Sequence, residues 1–142
     1  MEGKLNCILL VDDDSPTNFL NMEVIGEVEE VNHVQVAETG TEALEYITAT
    51  GPYVANGTTY PRPDLIFLDI NMPGMDGWEF LEEYKKLNAA PKKRPVIIML
   101  TTSLNPDDER KARAMNEVSG FMTKPLTRES FGDVLRRYFL IH

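Results

Sequence analysis

The chain has 142 residues, with 14 basic against 23 acidic side chains and a net charge of −9. That length suits one ordinary domain with a real core, and so acidic a surface disfavours nucleic acid and anionic membranes as partners. Cys7 is the only cysteine, which excludes an internal disulfide, and its place in an apolar run reads as a small buried thiol.

Taken in chain order, apolar runs alternate with helical patterns. Strands are expected at Cys7–Val11, His33–Ala37, Asp64–Asp69, Val96–Leu100 and Gly120–Thr123. The first, third and fourth are continuously apolar, as strands covered on both faces should be. Between them lie helix starts. Ser15-Pro16 offers a cap and a proline at the first helical position. Thr39-Gly40-Thr41-Glu42 reads as a capping box ahead of Ala43, Leu44 and Ile47, and Asp76-Gly77-Trp78-Glu79 as another ahead of Phe80, Leu81 and Tyr84. Asn105-Pro106 opens a fourth helix. Thr127 opens a fifth, with Phe131, Val134, Leu135 and Tyr138 at helical spacing. Five βα units in succession predict an α/β fold, a doubly wound five-stranded parallel sheet of flavodoxin-like order 2-1-3-4-5.

The segment at about 48–63 is rich in Thr, Gly, Asn, Tyr and Pro and shows no period, so it is expected to be an extended surface loop. No repeat, low-complexity tract or second domain is visible, and residues 1–142 are expected to form a single domain. Met1-Glu2-Gly3-Lys4 leads straight into a strand and no apolar run approaches the roughly 18 residues of a membrane helix. The expected location is therefore the cytoplasm.

The predicted topology directs several polar side chains to one edge. Asp12 and Asp13 follow the first strand and Asp69 the third, at the switch point of the sheet, whereas Asp14 falls too far into the turn to join them. Two carboxylates ~5 Å apart at an effective dielectric of ~20 repel by ~3 kcal/mol, a cost that only a cation or a lysine offsets. Oxygen-only donors favour Mg²⁺, with Mn²⁺ possible, and the lack of nearby His or Cys argues against zinc. The fourth strand leads into Thr101-Thr102-Ser103 and the fifth into Lys124-Pro125, adding hydroxyls and an ammonium. A carboxylate nucleophile, a cation, a hydroxyl and an ammonium at one rim can receive a phosphoryl group.

With Val11-Asp12-Asp13, Asp69-Ile70-Asn71-Met72-Pro73-Gly74-Met75-Asp76-Gly77, Leu100-Thr101 and Lys124-Pro125 in place, the chain resembles a response-regulator receiver domain from about Asn6 to Phe139. The family is typified by the bacterial chemotaxis response regulator. The resemblance implies that Asp69 is the phosphoacceptor, served by a sensor histidine kinase or a phosphotransfer protein. It implies that Asp13, Asp69 and the Asn71 carbonyl hold Mg²⁺ with help from Asp12. It further implies that Thr101 and Lys124 engage the phosphoryl group, and that Phe121 stands where the family often has a switching tyrosine, without that residue's hydroxyl. A cis Lys124-Pro125 bond is also implied. Output is expected through a downstream protein target or a homodimer on the face of the fourth helix, fifth strand and fifth helix. The role is then a switch with only self-catalysed phosphoryl chemistry, not an enzyme.

Two other classes fit less well. A haloacid-dehalogenase-type phosphatase also uses an Asp nucleophile and Mg²⁺, but its Asp-x-Asp-x-Thr/Val pattern meets Pro16 where Thr or Val is required. A flavodoxin-like electron carrier needs a phosphate-binding loop after the first strand, where this chain has three aspartates.

Overall fold

The computed structural model describes residues 5–53, 60–87 and 95–141. Five strands, β1 (Ile8–Val11), β2 (Val34–Ala37), β3 (Leu65–Leu68), β4 (Val96–Thr101) and β5 (Gly120–Thr123), alternate with five helices. The helices are α1 (Ser15–Gly26), α2 (Gly40–Thr48), α3 (Gly77–Lys85), α4 (Pro106–Arg113) and α5 (Arg128–Phe139). All strand pairings are parallel, in the order β2-β1-β3-β4-β5 that the alternation predicts.

Every residue of β1 and β3 is buried, while β2 and β5 are only partly covered. Alternation along each strand divides the core in two. Leu9, Val11, Ile66, Leu68, Ile97 and Met99 pack towards α2 and α3, and Ile8, Leu10, Phe67, Ile98 and Leu100 pack towards α1 and α5. The burial of Cys7 is complete and pushes its thiol up to about 11.

Helix starts follow the sequence signals with two differences. Asp14, not Ser15, caps α1, accepting from the Thr17 backbone N–H at 3.0 Å and from the Thr17 hydroxyl. Its extended φ and ψ allow that geometry, so Ser15 and Pro16 become the first helical residues. At α2, Thr39 accepts from the Glu42 N–H at 3.0 Å, but the Glu42 carboxylate takes the Tyr53 hydroxyl at 2.9 Å and the Glu38 N–H instead of closing the box. The boxes at Asp76 and Thr127 are complete.

The segment after α2 is more ordered than its composition suggests. Gly51–Tyr53 form a 3₁₀ turn, and Tyr46, Tyr53 and Tyr60 meet edge to face at 5.0–6.0 Å. Tyr53 is buried in the core, the Tyr46 hydroxyl donates to the Pro61 carbonyl at 2.5 Å, and Arg62 donates to the Ile47 carbonyl. Residues 54–59 of the predicted loop lie outside the described residues.

Helix α1 inverts the usual pattern. It buries Asn18, Asn21 and Ile25 while exposing Phe19, Leu20 and Met22.

Candidate functional site

The three polar strand-end residues are held by rungs that continue the sheet. The Asp12 N–H donates to the Ala37 carbonyl at 3.1 Å, the Asp69 N–H to the Val11 carbonyl at 3.0 Å, and the Lys124 N–H to the Thr101 carbonyl at 2.8 Å. Backbone hydrogen bonds therefore fix where these side chains start. The Lys124-Pro125 bond that follows is cis.

Carboxylate oxygens of Asp12, Asp13 and Asp69 lie within 4.8 Å of one another. Asp12 and Asp69 are buried and Asp13 is exposed. The Lys124 ammonium sits 2.5 Å from Asp12 Oδ2 and 3.4 Å from Asp69 Oδ1, so the repulsion expected of the cluster is partly relieved within the chain. The other Asp12 oxygen accepts from the Asp14 N–H at 2.9 Å. Burial raises the Asp69 carboxyl above its ordinary range, with Asp12 adding to the rise and Lys124 opposing it. Burial alone would lower the Lys124 ammonium, but its bonds to Asp12 and Asp69 outweigh that and raise it. A hard, oxygen-only donor set at this spacing fits a divalent cation.

Thr101 is wholly buried and is the last residue of β4, paired with Thr123, one residue further than the predicted strand end. Its hydroxyl oxygen accepts from the Ser103 N–H at 3.1 Å, and the Ser103 hydroxyl donates to Asp108 of α4 at 2.5 Å. Phe121 pairs with Met99 one step before Thr101 and packs half-buried against the α2–α3 side of the core. Thr101 falls on that same face by alternation. Asn71 lies exposed on the loop beyond Asp69. On α4, Arg110 pairs with Asp107 and Arg113 with Glu109, so much of that helix's mixed charge is matched internally.

Two contributors escaped the sequence reading. Gly77 opens α3 directly under Asp69: a Cβ there would lie 2.5 Å from the Asp69 carbonyl oxygen and 3.0 Å from Ile70 Cα. The Gly77 N–H donates to the Ile70 carbonyl at 2.8 Å. Asn18 donates from its amide to the Asp12 carbonyl at 2.8 Å. The capping box flagged the start of α3 without revealing the close approach, and nothing in the pattern of α1 marks Asn18.

Among the described residues no helix is long and apolar enough to cross a membrane. Residues 8–136 match the family described as the response regulator receiver domain. Response regulator Rcp1 of Synechocystis sp. is 38% identical over 101 residues, covering 71% of this chain and 65% of Rcp1. A two component response regulator from Cytophaga hutchinsonii superposes with a TM-score of 0.80 at 34% identity, covering 96% of this chain and 98% of that one. The Mn²⁺-bound form of Rcp1 gives 0.72 at 30% identity, with 94% of each chain covered. The phosphorylated cyanobacterial phytochrome response regulator RcpA gives 0.73 at 30%, covering 95% and 94%. Fold, strand-end chemistry and kinship agree: the chain belongs to the response regulator receiver domain family, whose members are phosphorylation-dependent switches of two-component systems.

Proposed function

We propose that Asp69 is the phosphoacceptor of this switch. The observation that carries the reading is the meeting of Asp12, Asp13, Asp69 and Lys124 from three strand ends, with the ammonium in contact with two carboxylates. An Asp69 oxygen attacks the phosphorus of a phosphohistidine on a sensor histidine kinase or phosphotransfer protein. An O–P bond forms, the N–P bond breaks, and the electron pair leaves with the imidazole. Lys124, freed from part of its contact with Asp69, pairs with the incoming phosphoryl oxygens, and the Thr101 hydroxyl donates to one of them.

Asp12, Asp13, Asp69 and the Asn71 carbonyl are the groups that would hold Mg²⁺, which would supply neutralisation of the phosphoryl charge. That the similar Rcp1 binds Mn²⁺ and the similar RcpA is phosphorylated supports this reading. Thr101 and Phe121 share a face of the sheet, so a shift of Thr101 gives Phe121 a second position to occupy. Output then runs through the α4–β5–α5 face to a downstream protein or a second copy. The chain acts as one cytoplasmic receiver unit across residues 1–142, with no substrate turned over beyond its own phosphorylation and slow dephosphorylation.

Intact-mass spectrometry after incubation with acetyl phosphate and MgCl₂ tests the assignment. One phosphoryl adduct is expected, and Asp69→Asn should abolish it. Full labelling of the Asn variant would overturn the reading.

A further inference from the structure

We propose that Asn18 is a positioning residue of the acidic cleft, acting on Asp12 through its amide and on Asp69 through one buried water held by its Oδ1. This rests on the reading of the cleft as a divalent-cation site. Three observations carry it. First, Asn18 is 4% exposed, and its amide nitrogen donates to the Asp12 carbonyl at 2.8 Å. Only the NH₂ end of the amide can face a carbonyl, so the orientation is fixed and Oδ1 points elsewhere. Second, that Oδ1 is buried with no hydrogen-bond partner among the described residues. A buried acceptor left without a donor carries its full desolvation penalty, so its persistence calls for an explanation. Third, a cavity of about 10 Å³ is lined by Asn18, Asn21, Asp12 and Asp69 together with the apolar Leu10, Val11, Phe67 and Leu100. That is the capacity of a single water, and the cavity brings the polar partners a buried water requires.

The sequence of α1 gives the same answer by another route. A helix on this sheet would be expected to bury Phe19 and Leu20, yet it exposes them and turns Asn18 and Asn21 inward. Only beyond the cleft, at Ile25, does the inner stripe become apolar. The inward polar residues thus coincide with the strand ends that carry the carboxylates. Asn18 tethers the backbone of Asp12, and the water it holds gives Asp69 a fixed donor on the side away from solvent. Together they limit the directions in which the two carboxylates can yield when a cation draws on them.

The test is Mn²⁺ titration followed by the paramagnetic signal of the free ion, on parent protein, Asn18→Leu and Ile25→Val, with urea denaturation of each. Asn18→Leu keeps the volume and removes both polar atoms, and it is expected to weaken Mn²⁺ by about tenfold, as loss of an outer-shell partner does. Ile25→Val is a core lesion at the far end of the same helix and is expected to stay within about twofold whatever it costs in stability. If the leucine variant does not fold, Asn18→Ala removes the same atoms without bulk and is expected to give the same weakening. A crystal structure of the parent should show one water at about 2.5–3.0 Å from Asn18 Oδ1. A dry cavity, or Mn²⁺ affinity in the Asn18 variants equal to that of Ile25→Val, would overturn the proposal. A parent protein that binds no Mn²⁺ would defeat the cation reading itself, and this inference with it.

Discussion

Replacing Gly77 by alanine should destabilise the protein, against the ordinary trend for a helical glycine. At an unhindered helix position alanine is favoured over glycine by about 0.5–1 kcal/mol, because the unfolded chain loses less entropy on folding. Here the new Cβ would stand 2.5 Å from the Asp69 carbonyl oxygen. A relaxed carbon–oxygen approach is about 3.3 Å, so roughly 0.8 Å must be found. Both crowded atoms are backbone, and no side-chain rotation can supply that distance. Overpacking of this kind costs about 1–3 kcal/mol, which at mid-range outweighs the helix gain and leaves a net loss of about 1 kcal/mol. The melting temperature should fall by a few degrees. Since the displaced backbone is that of Asp69, labelling by acetyl phosphate should slow as well. Gly26 is the matched comparison, because a Cβ there meets nothing within 4 Å. Gly26→Ala should be neutral or slightly stabilising and should label at the parent rate. Thermal and urea unfolding with timed mass spectrometry measure both quantities. If Gly77→Ala proves as stable as Gly26→Ala, the close approach is not a constraint and the argument fails.

Three further outcomes are expected. In EDTA, Lys124→Met leaves buried Asp12 and Asp69 without their cation. Burial already raises the Asp69 carboxyl, so that group favours the folded state below the ordinary carboxylate range and loses the contribution as pH rises through its folded value. Without the opposing lysine the value rises further, and the stability deficit against the parent should be small near pH 4 and reach about 2–4 kcal/mol near pH 7. A deficit independent of pH would refute this. Mg²⁺ at low millimolar concentration should raise the melting temperature. Asp13→Asn should raise that of the metal-free protein slightly while weakening Mg²⁺ about tenfold, and a less stable metal-free variant would count against carboxylate repulsion. In isotope-labelled spectra with and without beryllofluoride, the largest shifts outside the phosphorylation loops should fall on α4, β5 and α5. Larger shifts on α1 or α2 would displace the output face.

The meeting of Asp12, Asp13, Asp69 and Lys124 at one edge was legible in the sequence because parallel topology does the gathering. Once the strands run parallel and buried, residues that end them share an edge, whatever the loops do. Asn18 was not legible, since hydrophobicity alone assigns the interior to Phe19 and Leu20, both of which the structure exposes. The tyrosines illustrate a different blind spot. Tyr46, Tyr53 and Tyr60 recur at a spacing of seven, but with Gly51, Pro52 and Pro61 among them the spacing matches no helix. Their contacts form between a helix, a 3₁₀ turn and an extended run. The role of Gly77 depends on a carbonyl eight residues earlier, which no local pattern reports.

The two junctions flanking the carboxylates differ in how they can yield. On the β3–α3 side Gly77 approaches the Asp69 carbonyl backbone against backbone, a contact that no side-chain rotation can relieve. On the β4–α4 side the links pass through hydroxyls, from the Ser103 N–H to the Thr101 hydroxyl oxygen and from the Ser103 hydroxyl to Asp108. A hydroxyl can rotate to a new partner without moving the main chain. The edge of the sheet is therefore mechanically lopsided, with an anvil on one side of Asp69 and a latch on the other. Of the two junctions, the one linked through hydroxyls is the one that leads to α4.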